Sequence, residues 1–266
     1  YYPAQSRRGN KRCLWPVAPG DPWGQEGRNF VMRVFGASNQ GFVRANNEDA
    51  FYIDEKKGLL IIADGMGGHA GGEEASRLAV QTVVENLGEE YLSPPDQAVR
   101  AAILAANEAV LAKSVSDPVL AGMGTTLTLV LVLPDYLITG QIGDSGAYII
   151  DKAEARCLTG DHSVSGQLLA TGKITPTEAG KHPQRHVLTR SLGTGAELEV
   201  EVLCHSWSPG QHLLLCSDGL TEVVETAEIF AAVRGHGDLK EKVKGLIRLV
   251  LERGAPDNVT IILAQL

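Results

Sequence analysis

The segment that decides the fold is LLIIADGMGGHAGGE, residues 59–73. Its apolar first part predicts a short β-strand at about 58–63, and its glycine-rich second part leads into a helix whose apolar residues, Ala75 to Val83, share one face. Asp64 stands where the strand ends. A carboxylate that leaves a buried strand is unfavourable unless it is paired, so Asp64 needs a partner of opposite charge.

Around this segment, strands and helices occur in pairs rather than in strict alternation. Further strands are predicted at about 31–36, 50–54, 125–133, 137–142, 145–150, 186–190, 198–204, 211–216 and 259–265. A second helix begins after Pro94-Pro95-Asp96, a short helix begins at Thr175, and a final helix covers about 239–252. Strands joined by short turns, with clustered helices, favour an α+β sandwich over a doubly wound parallel sheet.

Length and composition fit one globular domain. The chain has 266 residues, a net charge of −8 and 44% hydrophobic residues, and no linker divides it after residue 31. Residues 1–31 show neither helical nor strand periodicity and no signal-peptide core. We therefore expect a disordered N-terminal extension at 1–31 and a single domain at 32–266.

Charge, hydropathy and cysteine spacing argue against several classes of protein. The acidic balance disfavours a nucleic-acid-binding protein. The longest apolar stretch, residues 127–133, is far shorter than the roughly 20 residues of a membrane-spanning helix. The four cysteines lack CxxC spacing and indicate neither a zinc site nor a disulfide framework. The sequence thus predicts a protein of the reducing cytoplasm with no membrane or nucleic-acid partner.

Three further aspartates repeat the pattern of Asp64. Asp144, Asp218 and Asp257 also lie at the ends of predicted strands, each beside a Gly or Asn. A single Asp of this kind is usually a turn residue. Four of them, with few Lys or Arg residues near them in sequence and no His or Cys partners, indicate a site for a hard cation such as Mg²⁺ or Mn²⁺ rather than zinc.

Two other motifs have more than one interpretation. The spacing Gly65-x-Gly67-x-x-Ala70 formally fits a dinucleotide-binding fingerprint. That interpretation is disfavoured because Asp64 would repel a pyrophosphate, and because the acidic residue about 20 positions later, Glu85, falls inside a predicted helix. Arg44 offers the paired donors that bind a phosphate, and the sequence leaves open whether it does so or forms a surface ion pair.

Six motifs, in this order and spacing, resemble the metal-dependent PP2C (PPM) family of protein serine/threonine phosphatases over about residues 33–266. They are Arg44-x-x-Asn47-Glu48-Asp49, Asp64-Gly65-Met66-Gly67-Gly68-His69, Gly124-Thr125-Thr126, Gly143-Asp144-Ser145, Ser217-Asp218-Gly219-Leu220 and Asp257-Asn258. Residues 175–179 and 182–185 also resemble the flap of the compact bacterial members, which are partners of Hanks-type kinases.

The resemblance implies a fold and a set of site residues. The fold would be a four-layer αββα sandwich, in which helix pairs flank two antiparallel sheets and a flap segment is added. Two Mn²⁺ or Mg²⁺ ions would form the core site, and a third ion would bind nearby. The implied ligands are Asp64, the Gly65 carbonyl, Asp218 and Asp257 for the core, and Asp144 with Asp218 for the third ion. Glu48 would hold metal-bound water and Arg44 the substrate phosphate, while His69 is either the general acid or a solvated loop residue.

The implied activity is hydrolysis of phosphoserine and phosphothreonine in proteins, by direct attack of a hydroxide that bridges two metal ions. The expected enzyme is a cytoplasmic monomer, with a cognate kinase among its phosphoprotein substrates. Alternatives are a phosphatase of an anti-sigma-factor pathway and a pseudophosphatase that only binds phosphoproteins. Intact ligand positions argue against the pseudophosphatase. Gly146 and Asn39 stand where the family commonly has Arg and Asp, which puts local stability or substrate fit in question.

Overall fold

Two antiparallel β-sheets form the centre of the protein in a computed structural model that describes residues 32–67, 71–87 and 94–266. With strands numbered in chain order, the first sheet runs β1 (Arg33–Asn39), β11 (Val259–Gln265), β10 (His212–Cys216), β7 (Gly146–Ile150) and β8 (Ala155–Cys157). The second runs β2 (Asp49–Asp54), β3 (Leu59–Met66), β5 (Leu127–Val132), β6 (Leu137–Ile142) and β9 (Glu201–His205), and β4 (Gly124–Thr125) pairs with β3.

Helices cover the outer faces of both sheets. Helices α1 (Gly71–Asn86) and α2 (Pro95–Ser116) pack on the second sheet, and α6 (Thr226–Arg234) and α7 (Leu239–Glu252) pack on the first. The remaining helices are short: α3 (Val164–Ala170), α4 (Pro176–Ala179), α5 (Asp218–Thr221) and a 3₁₀ turn at Pro118–Leu120. The predicted four-layer α+β sandwich is therefore confirmed.

Strand β3 shows why the layers stack in this way. Leu59, Ile61 and Ala63 pack with the residues of α1 and α2, whereas Leu60 and Ile62 pack with residues of the other sheet. Alternate side chains of a strand point to opposite faces, and all five of these are at most 1% exposed. An unbroken apolar run is thus the pattern of a strand that is buried on both faces.

One strand prediction from the sequence is wrong, and one helix prediction is confirmed. The strand predicted at 186–190 does not form, and only one isolated bridge joins Leu188 to Ser163. This stretch lies in the flap, which we define as residues 158–200 between β8 and β9, where it has no neighbouring strand to extend a ladder. The short helix predicted at Thr175 is confirmed as α4, with the Thr175 and Glu178 side chains capping its start.

Three further predictions concern the N-terminal extension, the cysteines and membrane-spanning helices. The extension predicted at residues 1–31 lies outside the described residues. Among the described residues, Cys157 and Cys216 carry free thiols. Among the described residues, no helix has both the length and the apolar character that crossing a membrane requires.

Close packing of α2 on β6 generates a stability prediction. A Cβ atom at Gly140 would lie 2.5 Å from Ile103 Cδ1 and 2.8 Å from Val99 Cγ1, both in the buried face of α2. We expect Gly140→Ala to lower the free energy of unfolding by about 1–3 kcal/mol through overpacking. Chemical denaturation measures the change.

The matched control is Gly245→Ala in α7, where an added Cβ meets no atom within 4 Å. That position is exposed, so the helix preference for Ala should raise stability by about 0.5–1 kcal/mol. Equal stability of the Gly140→Ala variant and the wild type would contradict the described packing of α2.

Candidate metal centre

The four predicted aspartates meet at one end of the two sheets. Asp64 ends the apolar run of β3, Asp144 lies in the turn between β6 and β7, Asp218 begins α5 after β10, and Asp257 precedes β11. Burial is the largest cause of the raised pKa of Asp64, Asp144 and Asp218; the charge of Asp218 adds to the rise at Asp64 and Asp144, and the charge of Asp257 adds to the rise at Asp218. Asp218 is therefore the electrostatic centre of the group. The structure thus brings together residues that are far apart in the sequence.

Burial makes this cluster unfavourable when it is fully charged. In the metal-free protein, burial raises the pKa of Asp64 well above its usual range, and the Asp64 carboxyl hydrogen-bonds to Asp218. Burial, followed by the charge of Asp218, raises the pKa of Asp144 to about 8. Bound cations would remove this penalty, because they replace repulsion between carboxylates with attraction.

The donor atoms of the cluster suit hard divalent cations. All are oxygens, as Mg²⁺ and Mn²⁺ prefer. Asp218 Oδ1 is buried and has no hydrogen-bond partner among the described residues. A buried acceptor without a donor is costly, and a cation at this atom would satisfy it.

Two residues near Asp218 were missed by the sequence analysis as site residues. Glu222 follows Asp218 by one helical turn, and His186 of the flap pairs with its carboxylate. One ligand atom from each of His186, Asp218 and Glu222 lies within 4.8 Å of the others. Burial, then the charges of Asp218 and Asp257, raises the pKa of Glu222 to about 7. The spacing of Glu222 from Asp218 was a signal in the sequence, whereas nothing in the sequence places His186 here.

Buried hydroxyl groups hold Asp64 and the Asp144 turn. The Asp64 N–H donates to Thr126 Oγ1 at 2.9 Å, and Thr125 Oγ1 donates to the Asp64 carbonyl at 2.8 Å. Thr126 Oγ1 also lies 3.0 Å from Ser145 Oγ, beside Asp144. The Gly124-Thr125-Thr126 motif therefore fixes the backbone of Asp64 and contacts the side chain of the residue that follows Asp144.

Asp49 joins the two sheets beneath the cluster. Its Oδ2 accepts hydrogen bonds from Ser217 Oγ at 2.9 Å and Thr260 Oγ1 at 2.6 Å, both from the opposite sheet or its strand ends. Burial raises the pKa of Asp49 to about 7, although these two hydrogen bonds oppose the rise. The Arg44-x-x-Asn47-Glu48-Asp49 motif gave no indication of this role, because the hydrogen-bond partners of Asp49 are distant in the chain.

Asn258 fixes the loop that carries Arg44 and Glu48. Its Nδ2 donates to the carbonyls of Gln40 at 2.8 Å and Asn46 at 3.0 Å, and its Oδ1 accepts from the Glu48 N–H at 2.8 Å. One buried amide thus positions the whole turn, which explains why Asn follows Asp257 at the start of β11.

The glycine-rich segment serves close backbone packing. A Cβ atom at Gly72 would collide with the Glu48 carboxylate, and one at Gly65 would collide with the Gly72 carbonyl. The Gly65 N–H also donates to the Glu48 carbonyl at 3.1 Å. Because the start of α1 faces the Glu48 carboxylate, a pyrophosphate would be repelled there. This geometry argues against the dinucleotide-binding interpretation.

Arg44 lies at the rim of the cluster. Its Nη2 is 2.6 Å from Asp257 Oδ2, and 55% of its side chain is exposed. The hydrogen bond to Asp257 raises the pKa of the guanidinium. The ion pair that the sequence left open therefore exists, and its partner is a predicted metal ligand. His69 lies outside the described residues.

The two departures from the family pattern have local explanations. A Cβ atom at Gly146 would lie 2.8 Å from the ring of Tyr148, so an Arg at this position would require that ring to move. Asn39 Oδ1 accepts the Gly41 N–H at 2.9 Å, a turn interaction that Asp would also make.

The raised pKa values predict how the metal-free protein responds to pH. Burial raises the pKa of Asp49 to about 7 and that of Asp144 to about 8, from an ordinary 3.8. The folded state then holds protons that the unfolded chain releases, so this stabilisation is complete below the ordinary pKa, declines as the pH rises and is lost above about pH 8.

We therefore expect the melting temperature in EDTA to fall between about pH 5 and pH 8. Added Mn²⁺ should raise it more at the higher pH, because protons and cations compete for the same carboxylates. Differential scanning fluorimetry measures both effects, and a melting temperature in EDTA that does not change with pH would contradict the described burial.

Comparison with known proteins agrees with this geometry. The sequence profile described as protein phosphatase 2C matches residues 43–259. The serine/threonine protein phosphatase PstP of Mycobacterium tuberculosis is 40% identical over 240 residues, which cover 89% of this chain and 45% of the relative. The chain therefore spans about half the length of that relative. The serine/threonine phosphatase stp of Listeria innocua is 32% identical, and the match covers 86% of this chain and 93% of the relative.

A solved structure supports the same assignment. The crystal structure of the catalytic domain of serine threonine protein phosphatase PstP in complex with two manganese ions superposes with a TM-score of 0.80 at 37% identity. The match covers 88% of this chain and 98% of that one. From its sequence, its fold and the carboxylates gathered at one end of its sheets, the chain belongs to the protein phosphatase 2C family.

Proposed function

We propose that this protein hydrolyses phosphoserine and phosphothreonine residues of other proteins in a reaction that depends on divalent cations. The observation that carries the proposal is the convergence of Asp64, Asp144 and Asp218 in a largely buried cluster, with the partly exposed Asp257 and Arg44 at its rim. The names of the relatives support the same activity. A protein that only binds phosphoproteins would have no physical need to bury like-charged carboxylates, which disfavours the pseudophosphatase.

Two Mn²⁺ or Mg²⁺ ions are the proposed cofactors of the core site. Asp64, Asp218, Asp257 and the Gly65 carbonyl would hold them, and Asp144 with Asp218 would hold a third. The PstP catalytic domain binds two manganese ions, which supports the core assignment. When bound, such ions supply Lewis acidity and lower the pKa of coordinated water towards neutrality.

The protein's own residues bind and orient the reactants. Arg44 would bind the phosphate through guanidinium N–H groups, while its hydrogen bond to Asp257 keeps it directed towards the cluster. Glu48, whose backbone Asn258 fixes, would orient water beside the ions. His69, or a water molecule, would protonate the departing serine or threonine oxygen. No covalent intermediate with the protein is needed.

The physiological role is proposed from the same chemistry. The substrates would be phosphorylated Ser/Thr proteins, including a cognate kinase of the Hanks type, and the enzyme would act as a cytoplasmic monomer. A phosphatase of an anti-sigma-factor pathway shares the chemistry and differs only in substrate. The domain boundary at residue 32 likewise stays a prediction.

Asp218→Ala tests the proposed activity directly. Hydrolysis of p-nitrophenyl phosphate should occur with Mn²⁺ or Mg²⁺ and stop with EDTA. The variant should be inactive because it removes the residue at the centre of the cluster, whereas Asp151→Asn, in an exposed turn, should retain activity. Near-wild-type turnover of Asp218→Ala at saturating Mn²⁺ would show that the metal assignment is wrong.

Arg44→Ala tests the phosphate-binding role. Its main effect should be a rise in KM of about 10- to 100-fold, because a charge-assisted hydrogen bond to the phosphate is lost in the ground and transition states alike. Arg77→Ala is the matched control, since Arg77 also pairs with a carboxylate at 2.6 Å and is 58% exposed, but lies on α1. Unchanged kinetics for Arg44→Ala would show that Arg44 forms only a structural ion pair and does not bind the phosphate.

Asp144→Ala tests whether a third ion contributes to activity independently of the two ions of the core site. Turnover should fall by roughly 10- to 1,000-fold, or about 1.4–4 kcal/mol. Activity should also depend less on high metal concentration, because a mostly hydrated ion binds weakly. Crystals grown in Mn²⁺ should contain two ions; if a third remains, or if turnover is unchanged, Asp144 is a turn residue.

A further inference from the structure

Two large apolar side chains next to Arg44 have no role in the site described above. Phe42 and Val43 are each 70% exposed. Scattered exposed apolar residues are normal on protein surfaces. This pair is different in position, because it directly precedes the residue that is proposed to bind the substrate phosphate.

The backbone of this loop is held firmly in place. The Phe42 N–H donates to the Ala255 carbonyl at 3.1 Å, and Gln40 Nε2 donates at 2.8 Å to the carbonyls of both Arg44 and Ala45. Gly41 has a φ of +76°, and a Cβ there would collide with the Asp257 carbonyl. The loop is thus fixed against the start of β11, so Phe42 and Val43 face solvent on a preorganised support.

The flap borders the same site with similar chemistry. Val187 is 48% exposed, and the preceding residue, His186, pairs with Glu222. Burial raises the pKa of Glu222, and the positive charges of Arg185 and Arg44 both oppose that rise, which places two cations near this carboxylate. The acidic cluster is therefore bordered by positive groups, which attract a phosphate, and by apolar side chains, which do not.

The spacing along the loop sets which part of a substrate could reach the pair. The chain bends at Phe42 and Val43, and since consecutive Cα atoms are about 3.8 Å apart, their Cα atoms lie within about 7.6 Å of that of Arg44. Substrate residues within two positions of the phosphoresidue lie within the same distance of it, so with the phosphate on Arg44 they pass near the pair.

We propose that Phe42 and Val43 form a docking ledge for an apolar side chain within two residues of the phosphoserine or phosphothreonine of the substrate protein. The inference rests on the proposed function. Burying such a side chain against a preorganised apolar surface favours binding, so phosphorylated sites flanked by Leu, Ile or Phe are the preferred substrates.

Two phosphopeptides test the ledge. They are identical except that the four residues flanking the phosphoserine are Leu in one and Ser in the other. Phosphate release with Mn²⁺ gives kcat/KM for each, and the readout is the Leu-to-Ser ratio. The wild type should prefer the Leu peptide about tenfold, and the double variant Phe42→Ser, Val43→Ser should bring the ratio close to one.

The chain offers a matched control. Val115 and Val119 are also strongly exposed, at 80% and 82%, but they lie at the end of α2 and in the 3₁₀ turn. The variant Val115→Ser, Val119→Ser should keep the wild-type ratio. If the double ledge variant has a lowered melting temperature, two single variants distinguish loss of the ledge from loss of stability. Phe42→Leu keeps an apolar side chain and should retain the preference for the Leu peptide, whereas Phe42→Ser should reduce it.

Several outcomes would overturn the proposal. A Leu-to-Ser ratio near one in the wild type would show that Phe42 and Val43 do not select the substrate. A preference that persists in the double ledge variant would show the same. In either case, hydrolysis of p-nitrophenyl phosphate by the wild type would still support the proposed function. A ledge variant that changes only the oligomeric mass in size-exclusion chromatography would assign the pair to self-association instead. Absence of hydrolysis of p-nitrophenyl phosphate and of both peptides by the wild type would remove the proposed function itself.

Discussion

Repulsion among buried carboxylates is the constraint around which this structure is organised. Burial raises the pKa of Asp64, Asp144 and Asp218 most, and a neighbouring carboxylate adds to each rise: Asp218 acts on Asp64 and on Asp144, and Asp257 acts on Asp218. Such a cluster cannot be charged and stable without compensation from protons or cations. The sandwich supports it with two sheets whose inner strands are apolar on both faces, so that the protein's stability comes from its layers rather than from the site.

The polar groups beneath the cluster connect those layers. The Asp49 carboxylate takes hydrogen bonds from Ser217 and Thr260, which belong to the opposite sheet and its strand end. Asn258 binds the backbone on both sides of Arg44 and also that of Glu48. Buried polar groups that are satisfied in only one arrangement specify that arrangement. The relative placement of the two sheets and the placement of the proposed metal ligands are therefore set by the same hydrogen bonds.

Local patterns in the sequence were sufficient where the physical cause was local. The apolar run of β3 and the aspartates at strand ends could be interpreted because burial and desolvation act on each segment separately. The false strand at 186–190 and the missed contact between His186 and Glu222 both depend on how the flap folds back onto α5. Asp49 was undervalued for the same reason, since its hydroxyl partners lie far along the chain. Tertiary contacts of this kind leave no periodicity in the sequence.

Substrate choice is physically separable from the catalytic cluster. In the proposed reaction, the carboxylates, any cations they hold and Arg44 would contact only the phosphate and the ester oxygen, which are common to every phosphorylated serine and threonine. Discrimination must come from side chains at the rim, such as Phe42 and Val43. The loop that carries them is fixed through backbone atoms and through Gln40 and Asn258, not through these two side chains. Their identity can therefore change between relatives without disturbing the position of Arg44, which allows one catalytic geometry to serve different phosphoproteins.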